Sequence, residues 1–121
     1  MKDIRIDVGV TTVLKLTVPR GSLIDGQTLY FTIKNPPFAR SKPIVERSWE
    51  FAELFSDESA EAAVIYIYIS PEESMSLKDN AEFDFNKEYL VGDEIIREPI
   101  RTKFGSNGKV NLRRGVGGGV V

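Results

Sequence analysis

Three carboxylate groupings, Glu72 with Glu73, Asp57 with Glu58 and Glu82 with Asp84, are the side chains whose type and spacing come closest to acid–base chemistry. The 121 residues include neither histidine nor cysteine. That removes the commonest general base, the commonest transition-metal ligand, every thiolate nucleophile and every Ser-His or Cys-His arrangement. Glycoside hydrolysis needs two carboxyl groups facing each other across a cleft, one of them held protonated by its surroundings. Residues adjacent in sequence do not supply that. Glu72 and Glu73 stand where the first turn of a helix favours acids, so no catalytic residue is expected. Asp79, Asn80, Glu82 and Asp84 are oxygen donors at close spacing, but the Gly and the terminal bidentate Glu of an EF-hand loop are missing. They read as a solvated turn and strand face, with no metal. The glycines at 105, 108 and 115–119 lack the Gly-Lys-Ser/Thr of a phosphate loop, and no cofactor is expected.

Two further sets of residues could bind rather than react. Arg97, Arg101, Lys103, Lys109, Arg113 and Arg114 could touch phosphate, but a chain of net charge −2 without a DNA or RNA motif makes nucleic acid an unsuitable partner. Tyr66, Tyr68, Trp49 and Phe38 could line a sugar-binding surface. The competing reading puts Trp49 in the core and the two tyrosines on a half-buried sheet face. Phe38, Tyr66, Tyr68, Arg113 and Arg114 are the expected partner contacts.

Charge is distributed unevenly along the chain. Residues 1–45 carry seven Lys/Arg against three Asp/Glu, residues 46–94 three against fourteen, and residues 97–114 six against one. Solvated faces of different sign account for this; so does complementarity between protomers, an acidic middle meeting basic ends in a head-to-tail array. Met1-Lys2-Asp3-Ile4-Arg5 is charged where a signal peptide needs an apolar run, and no segment approaches the ~20 apolar residues of a membrane span. A soluble protein made in the cytoplasm, with no membrane partner, is the expectation.

The elements that must position these residues follow from apolar alternation. Ile65, Ile67 and Ile69 fall on one face of a strand, Val64, Tyr66 and Tyr68 on the other. Ser70 is placed to cap free N–H groups, Pro71 supplies the fixed φ of a first helical position and Glu73 completes a capping box, so a short helical turn follows and ends near Leu77. Leu29, Phe31 and Ile33 set one face of a strand over 28–34, and Phe83 and Phe85 one face of a strand over 81–86. Ile4 to Val18 reads as an edge strand or as two strands kinked near Gly9. Asn35 to Pro43, with its three prolines, is a loop. Ile44 to Phe51 is read as a strand, although Phe51, Leu54 and Phe55 have helix spacing. Pro99 places 94–104 at an edge or breaks it in two. Gly105-Ser106-Asn107-Gly108 signals a hairpin, with Lys109 to Arg114 pairing back and Val110 and Leu112 inward. About seven short strands with turn chemistry between them and little helix predict a single all-β domain over 1–114, an antiparallel, immunoglobulin-like β-sandwich, followed by a flexible Gly-rich tail at 115–121.

This order of parts resembles the small β-sandwich module at the amino terminus of upper baseplate and related tail proteins of phages and prophages of Gram-positive hosts. The matching segments are Val13 to Val18, Gly26-Gln27-Thr28-Leu29-Tyr30-Phe31-Thr32-Ile33-Lys34, Ala63 to Ile69 leading into Ser70-Pro71-Glu72-Glu73-Ser74, Ala81-Glu82-Phe83-Asp84-Phe85, and Gly108-Lys109-Val110-Asn111-Leu112. The aromatic strand departs from the family's Tyr-x-Tyr-Asp pattern in reading Phe83-Asp84-Phe85. The resemblance implies a non-enzymatic, virion-associated structural or adaptor protein whose partners are itself or other phage tail proteins. A β-sandwich module that binds carbohydrate or peptide is the alternative.

Overall fold

Residues that alternate in polarity form the strands, and the phase of each alternation decides which side faces the core. The structure, a computed structural model, describes residues 3–38 and 41–114. In order these form β1 (Ile4–Asp7), β2 (Thr12–Pro19), β3 (Thr28–Lys34), β4 (Val45–Glu50), α1 (Phe51–Leu54), β5 (Ala62–Ile69), α2 (Pro71–Met75), β6 (Glu82–Val91), β7 (Glu94–Pro99) and β8 (Asn107–Arg113). Strands β1, β8, β6, β3 and β4 are neighbours in that order in a six-stranded sheet, with β7 attached to β6; β2 and β5 form a separate two-stranded sheet. The fold is all-β and sandwich-like, with eight strands rather than about seven. The succession β8-β6-β3-β4 forms one layer and the β2-β5 pair the other. Residues 115–121, expected to be a flexible tail, lie outside the described residues.

Not every pairing is antiparallel. Gly9, at φ +90°, turns the chain out of one sheet and into the other, so β1 and β2 are separate strands and do not pair. β1 instead lies parallel to β8, with Ile4 opposite Val110 and Asp7 opposite Arg113. The expected hairpin into β8 is also different. β7 and β8 occupy the same edge of β6 in succession, β7 along Asn86–Val91 and β8 along Glu82–Asp84. Between them the chain loops out through a tight turn in which Thr102 and Gly105 bridge. Phe85 marks the changeover, its carbonyl accepting from the Ile100 N–H at 3.0 Å and its N–H donating to the Ser106 carbonyl at 2.7 Å. Pro99, with no N–H to donate, ends β7 at this point.

The core lies between the sheets. Ile65, Ile67 and Ile69 meet Leu29, Phe31, Ile33, Phe83 and Phe85 in one buried cluster, joined by Ile4 and Ile6 from β1, Leu14, Leu16 and Val18 from β2, and Val110 from β8. Leu112 is only partly buried and packs against this cluster. Trp49 does likewise at its margin, so it closes the core rather than filling it.

The two helices show local chemistry winning in different ways. The expected strand stops at Glu50, because the Glu53 carboxylate accepts from the Glu50 N–H at 3.0 Å and starts α1. Helix spacing then brings the Phe51 and Phe55 rings to 5.1 Å. In α2 the expected cap is present: Ser70 Oγ accepts from the Glu73 N–H at 3.0 Å and Glu73 Oε1 accepts from the Ser70 N–H at 2.9 Å. Ser70→Ala removes the first of these and is expected to lower the unfolding free energy by about 1 kcal/mol, read from urea denaturation. The helix also anchors the β1–β2 turn, since the buried Ser74 accepts from the Gly9 N–H at 2.9 Å through the same hydroxyl that donates to the Pro71 carbonyl at 2.7 Å.

Candidate interaction face

In β2 and β5 every second side chain is buried, which turns the intervening ones to the outside together. Antiparallel register sets Val13 opposite Tyr68, Lys15 opposite Tyr66 and Thr17 opposite Val64. The Tyr68 carbonyl accepts from Arg47 Nη2 at 3.1 Å, so it points away from β2. That marks Val13–Tyr68 as a non-hydrogen-bonded pair, and by alternation Lys15–Tyr66 and Thr17–Val64 as well. Side chains at such pairs approach most closely. The result is one continuous surface on which Val13, Val64, Tyr66 and Tyr68 remain 48%, 50%, 51% and 58% exposed. The tyrosines were expected on a half-buried face; they are about half exposed, and none of the described elements covers them, because the small sheet packs against one layer only.

The seam beside this face is held by charge. Arg47 has the inward phase of Val45 and Trp49, and its guanidinium reaches from β4 to the Glu73 carboxylate at 2.7 and 2.9 Å as well as to the Tyr68 carbonyl. Burial by itself would raise the Glu73 carboxyl, but the Ser70 N–H and the Arg47 guanidinium together hold it below its ordinary range. A carboxyl depressed in the folded state contributes stability above its unfolded value and loses it as pH falls through the folded one. Acid titration of stability below about pH 4.5 should therefore be less steep in Glu73→Gln than in the wild type.

A second apolar surface lies on the six-stranded sheet. Pairing of β3 to β6 begins at Thr28 opposite Glu88, so Tyr89 to Val91 run past the sheet, paired only with β7, and turn at Gly92, whose φ of +63° suits a tight hairpin. Leu90, Val91 and Ile95 on this arm are 68%, 57% and 66% exposed. At its base Arg97 pairs with Glu88 and lies over the Tyr30 ring, 5.6 Å from its centroid. Nearby Asp84 is half-buried, and burial raises its carboxyl against the opposing pull of Lys34 and Arg97.

The remaining residues singled out by sequence are scattered. Phe38 is half-buried in the Asn35–Pro43 loop. Arg113 ends β8, on the other sheet from the tyrosines, and Arg114 follows it; both are engaged in ion pairs, Arg113 with Asp7 and Arg114 with Asp79, each at 3.5 Å. Of the carboxylates, Glu73 is taken up by its cap and Arg47, Asp57 accepts from the Ser59 hydroxyl at 2.7 Å, and Glu82 and Asp84 lie along the outer face of β6. Among the described residues no three Asp or Glu gather as metal ligands. Beside the tyrosine face, Trp49, Leu54 and Val64 line an open groove that continues it toward α1.

No family model, no curated protein and no solved structure matches the chain. The chemistry open to this surface is contact: apolar and aromatic side chains for burial, a single lysine for orientation, and unpaired backbone groups along β2. By the alternation set out above, the N–H and C=O groups of Val13, Lys15 and Thr17 point away from the ladder and find no backbone partner among the described residues. Sequence reasoning placed Val64, Tyr66 and Tyr68 on one face and named the tyrosines as contacts, but missed Val13 and Lys15 beside them. Their shared phase across two strands was the available signal.

Proposed function

We propose that this chain is a non-enzymatic structural or adaptor protein of a phage or prophage tail or baseplate, working by self-association or by docking to other virion components. The observation that carries the docking part is the uncovered β2–β5 face, where four large apolar side chains stay about half exposed in one patch. Contiguous apolar surface of this kind is characteristic of protein contact sites. The tail setting rests on the order of segments around Ser70-Pro71-Glu72-Glu73. Co-expression with the products of the flanking genes tests the reading: a virion protein should co-elute with the chain on size exclusion, and Tyr66→Asp should abolish that complex. Flanking genes that encode no virion component, with no complex formed, would overturn it.

A second reading has its own observation. Tyr66 and Tyr68 are two residues apart on one strand and both exposed, which suits stacking of successive sugar rings or of a peptide's side chains. Titration with oligosaccharides, followed by tyrosine fluorescence, discriminates: saturable quenching that is lost in Tyr68→Ser favours carbohydrate.

A further inference from the structure

Resting on the docking reading just given, we propose that the β6–β7 hairpin tip of one copy seats on the β2–β5 tyrosine face of a second copy, forming a head-to-tail contact. The most exposed large apolar side chains of the described residues are Leu90 and Ile95 on the tip, and the tyrosine face gathers four more, Val13, Val64, Tyr66 and Tyr68. Neither is covered by any other of the described residues. The tip extends about three residues, on the order of 10 Å, past the end of β3, and it belongs to the sheet opposite the face. One molecule cannot bring the two together.

Charge selects cross-pairing over self-pairing. The turn of the hairpin carries Asp93 and Glu94, whereas Lys15 is the only charged side chain among the outward-facing residues of β2 and β5. Two tips meeting would bring four carboxylates together, and two faces meeting about a central axis would bring Lys15 near Lys15. A tip on a face instead sets carboxylates beside a lysine and buries apolar surface on both sides. Such a contact uses different patches on the two partners, so it propagates into a filament or closes into a ring rather than stopping at a two-fold dimer. A hairpin tip offers a small area, which belongs to the weak, concentration-dependent class of interfaces.

Complementation in sedimentation velocity tests the arrangement. The tip variant Ile95→Asp keeps an intact face, and the face variant Tyr66→Asp keeps an intact tip; both positions are exposed, and circular dichroism checks that each folds. The wild type is expected to show a weight-average sedimentation coefficient that rises with concentration, each variant alone to lose at least tenfold in association, and an equimolar mixture to give a 1:1 dimer that grows no further. Reversing charge on both sides, Lys15→Glu with Glu94→Lys in one chain, should restore association that either change alone weakens. A wild type that stays monomeric at millimolar concentration, variants that associate like the wild type, or a mixture that stays monomeric while the wild type associates would each overturn the proposal. None of these bears on capture of a flanking-gene product by the tyrosine face, so failure here is distinguishable from failure of the docking reading.

Discussion

Phe85→Ala is expected to lower the unfolding free energy by about 3–5 kcal/mol, the range for truncating a large aromatic in a packed core. Its side chain is fully buried and stands at the centre of an aromatic group, with ring centroids 4.8 Å from Phe31, 5.8 Å from Phe83 and 6.4 Å from Phe104. Truncation leaves those three rings facing a void that the flanking strands cannot close, because β6 is paired on both edges at this level. The Phe104 ring is held there by the chain that loops out between β7 and β8, so loosening Phe85 should loosen that connection too. Phe85→Leu keeps most of the volume and should cost less than about 1.5 kcal/mol. Urea denaturation of the pair measures both. Equal losses for Ala and Leu would mean that the site is not packed as described.

Ile67→Ala should cost about 2–5 kcal/mol. The side chain is fully buried, and the small sheet it belongs to shares no strand ladder with the large one. What joins the two layers is chiefly side-chain burial, aided by the contacts of Arg47 and Ser74. A cavity at Ile67 therefore weakens the attachment of a whole layer. The neighbouring Tyr66→Ala, on the opposite face, is expected to change stability by no more than about 0.5 kcal/mol. Comparing the two reads the phase of β5 directly; similar losses at both positions would refute it.

Much of the sandwich was legible because period-two alternation is enforced by burial on one side. Leu29, Phe31 and Ile33 could occupy only one face, and so could Ile65, Ile67 and Ile69. Ser70-Pro71-Glu72-Glu73 was legible because a cap is a local interaction that needs no tertiary partner. What stayed hidden depends on neighbours distant in sequence. Nothing local to Pro99 or Gly105 tells that β7 and β8 share one edge of β6. At 49–55 two local signals conflicted, and the Glu50–Glu53 contact decided for the helix. The candidate face was half legible: alternation placed Tyr66 and Tyr68 opposite the core-facing isoleucines, but alternation is silent on whether a second layer covers that side. Leu90, Val91 and Ile95 look like core residues by type, and only the end of β3 at Thr28 reveals that they overhang it. Arg113 and Arg114 were singled out for their charge, which the structure shows engaged by Asp7 and Asp79.

The parallel pairing of β1 with β8 joins Ile4 to Val110, and so ties the first of the described strands to the last. At translation rates of about 5–20 residues per second, β1 leaves the ribosome at least ~5 s before its partner exists. In the last part of that interval, once β6 is made, its Glu82–Asp84 edge is bare as well. Growing chains thus pass through a stage in which two strand edges are open at once, the condition under which neighbouring polypeptides on a polysome cross-pair. The large sheet therefore closes only once β8 has left the ribosome, and a nascent-chain binder that shields β1 until then would keep that edge from cross-pairing.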